Sequence, residues 1–148
     1  MKKITVCLLA GWAAFQIGAA ETKESWLTDL PKAQAQAKKE NKLVLMDFTG
    51  SDWCGWCIKL EKETFSKPEF NDYAKKNLVL VTLDFPNKKE QSDVVKKANK
   101  ALEKKYDVHG FPTLIALKPD GTVAWTQVGY LAGGPKAMIA KLDEAKKK

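Results

Sequence analysis

The stretch Trp53-Cys54-Gly55-Trp56-Cys57 constrains this chain more than any other. Its two thiols stand two residues apart, shortly after the apolar run Leu43-Val44-Leu45-Met46-Asp47-Phe48. Between run and thiols lies Thr49-Gly50-Ser51-Asp52, a loop of turn-forming and capping residues. A continuous apolar run of this length fits a strand buried on both faces. A Cys-x-x-Cys just beyond such a strand reads as a redox pair on the first turn of a helix. The expected architecture is therefore α/β, with the strand, the loop and the helix aiming the two sulfurs.

A chain of 148 residues is one domain's worth and can bury a core without disulfides or metals. The formal charge of +7 comes entirely from lysine, for no arginine occurs. Nucleic-acid sites lean on arginine for its planar, two-pronged donors, and here the lysines alternate with glutamates along helix-like stretches. The charge reads as a solvated surface, and no nucleic-acid partner is expected. Residues 1–20 read as a signal peptide: Lys2 and Lys3, an apolar stretch from Ile4 to Phe15, then Gly18-Ala19-Ala20 before Glu21. That apolar stretch is shorter than the roughly 20 residues needed to span a bilayer. Residues 21–148 would form the exported domain, in the periplasm or an equivalent compartment.

Cleavage would remove Cys7 and leave Cys54 and Cys57 as the only thiols. A bridge enclosing just two residues restrains an unfolded chain little. The pair therefore reads as chemistry rather than as a staple.

The remaining elements follow from periodicity. Trp26, Leu27, Leu30, Ala33 and Ala37 recur at helical spacing, with Pro31 in the first turn. Cys57 to Phe65 continues the helix begun at Cys54; Ser66-Lys67-Pro68 breaks and restarts it, with Phe70 and Tyr73 facing inward. Leu78 to Leu83 is a second strand. Lys88 to Lys105 reads as an exposed amphipathic helix, its stripe made of Val94, Val95, Ala98, Ala101 and Leu102. Strands from Thr113 to Leu117 and Thr122 to Val128 flank the turn Lys118-Pro119-Asp120-Gly121. A last helix opens at Pro135 and buries Ala137, Met138, Ile139 and Leu142. A parallel βαβ half followed by an antiparallel hairpin gives one mixed sheet of about four strands, covered by helices on both faces.

Asp47-Phe48, Trp53 to Cys57, Gly110-Phe111-Pro112-Thr113, and the glycines Gly121 and Gly129 resemble the landmarks of the thioredoxin family, in order and in spacing. The stretch from Asp47 to Phe70 is most similar to the exported bacterial thiol:disulfide interchange proteins of that family. The resemblance implies a thiol–disulfide oxidoreductase that needs no cofactor and exchanges disulfides with protein substrates. A membrane would matter only through a redox partner. Cys54 resembles the exposed attacking cysteine, Cys57 the buried resolving one, Pro112 the cis proline beside them, and Asp47 the family's buried acid. Three departures stand out. The loop from Asp47 to Cys54 looks one residue longer, and the second strand has no lysine to partner Asp47, leaving Lys42 and Lys59 as the nearest by sequence. The segment from Asn87 to Lys104 is also longer.

The chemistry of the residues runs the same way. A helix start carries partial positive charge and unpaired N–H groups, which stabilise a thiolate at Cys54 more than at Cys57 one turn further in. Asp47 either caps the strand end or lies buried behind the pair, able to take a thiol proton. Gly55 lets a substrate chain approach, Trp56 covers the pair, and Phe111 lines the same surface. Trp53 reads equally as packing or as a landing surface for substrate. The dipeptide Gly55-Trp56 lacks the proline and histidine of strongly oxidising relatives, which favours reductase or isomerase work. A rival reading, from a different class, is a Cu(I) carrier using Cys54, Cys57 and His109, because soft thiolates favour that ion.

Overall fold

The computed structural model of the chain describes residues 25–147. The signal-peptide reading of residues 1–20 lies outside them. Four strands, β1 (Leu43–Thr49), β2 (Leu78–Asp84), β3 (Thr113–Leu117) and β4 (Val123–Val128), form one sheet in the order β2-β1-β3-β4. β1 pairs parallel with β2 and antiparallel with β3, and β3 pairs antiparallel with β4. The helices are α1 (Leu30–Glu40), α2 (Gly55–Leu60), α3 (Pro68–Asn77), α4 (Asp93–Lys105) and α5 (Gly134–Lys146). A π-helical turn, Glu61–Phe65, joins α2 to the break before α3.

Side chains alternate across a strand, and here both faces are apolar. Leu43 and Leu45 point to one face, where Leu60, Phe65, Phe70, Met138 and Leu142 close a core. Val44, Met46 and Phe48 point to the other, against Leu30, Ala33 and Ala37 of α1 and with Leu102 and Tyr106 at the edge. By this alternation Asp47 belongs to the face of Leu43 and Leu45, the one that α2 covers.

Two elements differ from expectation. Trp26 and Leu27 are not helical. Asp29 caps α1 by accepting a hydrogen bond from Lys32 N at 2.9 Å, and Pro31 sits in the first turn, so the helix starts at Leu30. Leu27 instead adds a bridge to the sheet, donating to Leu80 O and accepting from Thr82 N at 2.9 and 2.8 Å. Trp26 packs its ring 5.0 Å from Phe65. In α4 the expected stripe lies only partly inside: Val95 and Leu102 are half-buried, and Leu102 packs against the core. Val94, Ala98 and Ala101 are exposed, and the side chain the helix buries is Asn99. Its amide donates to Asp84 O at 2.9 Å, at the end of β2. In α5 the buried residues are Met138, Leu142 and Ala145, with Ala137 and Ile139 half-buried beside them.

Candidate active site

Cys54 is the N-cap of α2, and it forms a disulfide with Cys57 across a Cα–Cα distance of 5.3 Å. The Cys57 backbone N–H donates to Cys54 Sγ at 3.3 Å. Sulfur thus takes the place an oxygen holds in an ordinary cap, with one of the helix's first N–H groups against it. The expected contrast between an exposed and a buried cysteine is small in this oxidised state, with Cys54 7% and Cys57 4% accessible. Position at the helix end, more than accessibility, separates the two sulfurs. A Cβ on Gly55 would meet open space, so packing does not demand glycine there, and the approach to the disulfide is clear on that side.

Asp47 lies buried in mid-strand, in register with Thr82 of β2 and Leu114 of β3. It is therefore no strand-end cap. Burial, reinforced by the carboxylates of Glu61 and Asp84, pushes its carboxyl up to about 8. Its Oδ1 accepts no protein hydrogen bond, which suits a neutral carboxylic acid better than an anion. Neither lysine candidate reaches it. Lys42 donates to Lys75 O and pairs with Glu40, and Lys59 lies over the rings of Trp56 and Tyr130. Asp47, Cys57 and Glu61 line one cleft of about 310 Å³, with Thr49, Ser51 and Lys89 also on its walls. Nothing local in the sequence marks Glu61 for the site, although it stands four residues after Cys57, the spacing that puts two side chains on one helix face.

The peptide bond Phe111–Pro112 is cis, and Pro112 is buried. Pro112 O accepts from Gly129 N at 2.8 Å. Proline has no N–H, so this carbonyl is its one backbone hydrogen-bonding group, and it is tied to the residue after β4. The Phe111 ring meets Trp53 edge-on at 5.9 Å and stacks on Phe85 at 5.0 Å. This contact sets the proline loop beside the residue that precedes Cys54. Trp53 is anchored, its indole N–H donating to Phe85 O at 2.7 Å, yet it remains 46% exposed. The packing expectation holds, and nearly half of the residue stays open to solvent. Trp56 is the residue expected to cover the pair. It is 58% exposed and leans on Tyr130 with the ring centroids 5.4 Å apart. Tyr130 in turn donates its hydroxyl to Glu63. Phe85 and Tyr130, unmarked in the sequence reading, are thus the supports of the two tryptophans.

His109 is not brought to the disulfide as a third ligand. Its imidazole pairs with Asp107 at 2.9 Å, and both side chains are strongly exposed. Among the described residues no group of three His, Cys, Asp or Glu side chains is placed to hold a metal ion. The copper set Cys54, Cys57 and His109 is therefore not assembled, because His109 points to its own loop.

A mixed four-stranded sheet, a disulfide at the strand-to-helix turn and a cis proline opposite define a thioredoxin-type redox site. The thioredoxin-like domain family matches residues 30–146, and the chain belongs to that family. It is 34% identical over 116 residues to the disulfide bond reductase DsbH of Chlamydia pneumoniae, covering 78% of this chain and 69% of that protein. To the thioredoxin-related protein DsbJ of the same organism it is 29% identical over 119 residues, 78% of this chain but 34% of that one. A solved structure of a DsbH oxidoreductase superposes with a TM-score of 0.78 at 32% identity, over 85% of this chain and 86% of that one. Fold, disulfide and relatives together make this chain a thiol–disulfide oxidoreductase.

Proposed function

We propose that the protein reduces disulfides of exported proteins, with Cys54 as attacking and Cys57 as resolving residue. The observation that carries this reading is the placement of Cys54 Sγ at the start of α2, where Cys57 N–H donates to it. In the reduced protein that position favours the Cys54 thiolate. The thiolate attacks one sulfur of a substrate disulfide. A mixed disulfide forms, and the other substrate sulfur leaves as a thiolate that takes up a proton. Cys57 then loses its proton, attacks Cys54 Sγ and releases the second substrate sulfur as a thiolate, which takes up that proton. The protein is left with its Cys54–Cys57 disulfide, and the substrate has gained two electrons and two protons.

The protein's own disulfide must then be reduced, and Asp47 has a part in that step. In the oxidised state it is protonated at neutral pH. When the dithiol of a redox partner attacks Cys54 Sγ, the S–S bond breaks and Cys57 leaves as a thiolate. Asp47, on the same cleft, supplies the proton directly or through one water. The reducing direction rests on the named activity of DsbH, on Gly55-Trp56, and on the cleft itself. Its charged and ionisable groups, Asp47, Glu61 and Lys89, offer no excess of positive charge. Strong oxidants stabilise their reduced, thiolate form furthest, and beyond the start of α2 this cleft adds no net positive charge for that. Export rests on the pattern of residues 1–20.

Trapping tests the roles. With a disulfide-bonded peptide, reduced Cys57→Ser protein is expected to accumulate a covalent adduct through Cys54. Cys54→Ser is expected to form little or none. An adduct forming faster in Cys54→Ser than in Cys57→Ser would reverse the assignment.

A further inference from the structure

Beside the disulfide, Trp53, Phe85 and Phe111 floor a groove of about 460 Å³ whose far wall is α4. The floor is held in place. Trp53 hydrogen-bonds Phe85 O, and the three rings are in edge-on and stacked contact. Asp52, next to Trp53, accepts from the backbone N–H groups of Asn87, Lys88 and Lys89 at 2.9, 2.7 and 2.9 Å. These bonds tie the loop between β2 and α4 to the active-site loop. The wall carries Lys96 and Lys100, with Glu103 beside them. Lys100 Nζ pairs with Glu103 at 2.8 Å and lies 5.7 Å above the Phe85 ring, while Lys96 is 3.9 Å from Asp93 and largely exposed. From Asn87 to Lys105 the chain carries seven lysines against Glu90, Asp93 and Glu103, so the wall remains net positive.

We propose that this groove selects the substrate: it takes an extended segment flanking the substrate's disulfide, bearing a large apolar side chain and carboxylates. The inference rests on the oxidoreductase reading and names the substrate class of that same site. The aromatic floor begins at the residue before Cys54, so a chain whose half-cystine reaches Cys54 passes directly onto it. An apolar side chain buried among three rings supplies most of the affinity. The α4 lysines favour acidic flanks and oppose basic ones, chiefly through the rate of encounter.

Two disulfide-bonded peptides test this, identical except that three aspartates or three lysines follow a phenylalanine next to the half-cystine. For the wild-type protein, kcat/KM is expected to favour the acidic peptide by about tenfold at low salt, contracting to about twofold at 0.5 M salt. Lys96→Glu combined with Lys100→Glu should invert the preference, whereas Lys38→Glu with Lys39→Glu, on exposed sites at the end of α1, should leave it largely intact. Because each comparison is a ratio within one variant, a partly folded variant does not confuse it. Equal rates for the two peptides, or loss of the preference in both double variants alike, would overturn the inference. So would dimerisation through the groove that Phe85→Glu abolishes. Reduction of 2-hydroxyethyl disulfide, small and neutral, by the wild-type protein reports separately on the underlying activity. If it proceeds while the peptides are not distinguished, only the groove is wrong; if it fails as well, the oxidoreductase reading falls and takes the groove with it.

Discussion

A carboxylic acid in the middle of a buried strand would be a liability, and Asp47 avoids it by staying protonated. Its folded pKa, about 8, stands above the ordinary 3.8. The unfolded chain ionises first as pH rises, so the folded state is favoured most below pH 4 and loses that advantage up to about pH 8. The loss should be on the order of a few kcal/mol. Asn at this position cannot ionise. Unfolding of the oxidised protein in urea at pH 5 and pH 8 should show wild-type stability falling and Asp47→Asn nearly flat. A wild-type slope equal to that of Asp47→Asn would mean that Asp47 ionises normally. Asp47 was legible in the sequence as an acid breaking an apolar run. The missing second-strand lysine was legible too, but not that Lys42 and Lys59 turn elsewhere, nor that Glu61 and Asp84 take the lysine's place with opposite sign. That reversal needs three elements, β1, β2 and the turn after α2, brought around one point.

The active-site loop between β1 and α2 is interlocked with the loop after β2, residue against residue. Ser51 donates both its N–H and its hydroxyl to the Asp84 carboxylate, Asp52 gathers three N–H groups, and Trp53 reaches Phe85 O. Gly50 makes this possible by lying under the Trp53 indole, where a Cβ would collide with the ring. Gly50→Ala should therefore displace Trp53 and cost about 1–3 kcal/mol, the usual range for overpacking. Thermal unfolding together with Trp53 fluorescence quenching would show it. A variant as stable as wild type with an unshifted indole would disprove the packing argument. Strands and helix breaks were readable because long apolar runs, Pro31, Pro68 and Pro135 act locally. The face that α4 buries was not. Counting apolar residues favours Val94 and Ala98, but the helix turns Asn99 inward, where the end of β2 offers it the Asp84 carbonyl. A polar residue at a buried position is invisible to hydropathy when its partner lies on another element.

At the scale of the whole molecule, a sheet sandwiched between two cores holds one end of β1 fixed, and every functional group gathers there. Cys54 and Cys57 follow β1, Asp47 lies within it, Pro112 precedes β3 and Phe85 follows β2. Chain order alone places these strand ends together once the mixed sheet is assumed, which is why the fold and the disulfide were legible from a handful of residues. The supports of the tryptophans, Phe85 and Tyr130, were not, since nothing local distinguishes them from core aromatics. We take this arrangement to make a reductant. Equilibration of Cys54–Cys57 with glutathione redox buffers, or with a dithiol buffer at the low end, measures it most directly. A potential near that of thioredoxin, about −270 mV, is expected; a value near −120 mV, typical of a strong oxidant, would mean that the site does not act as a reductant.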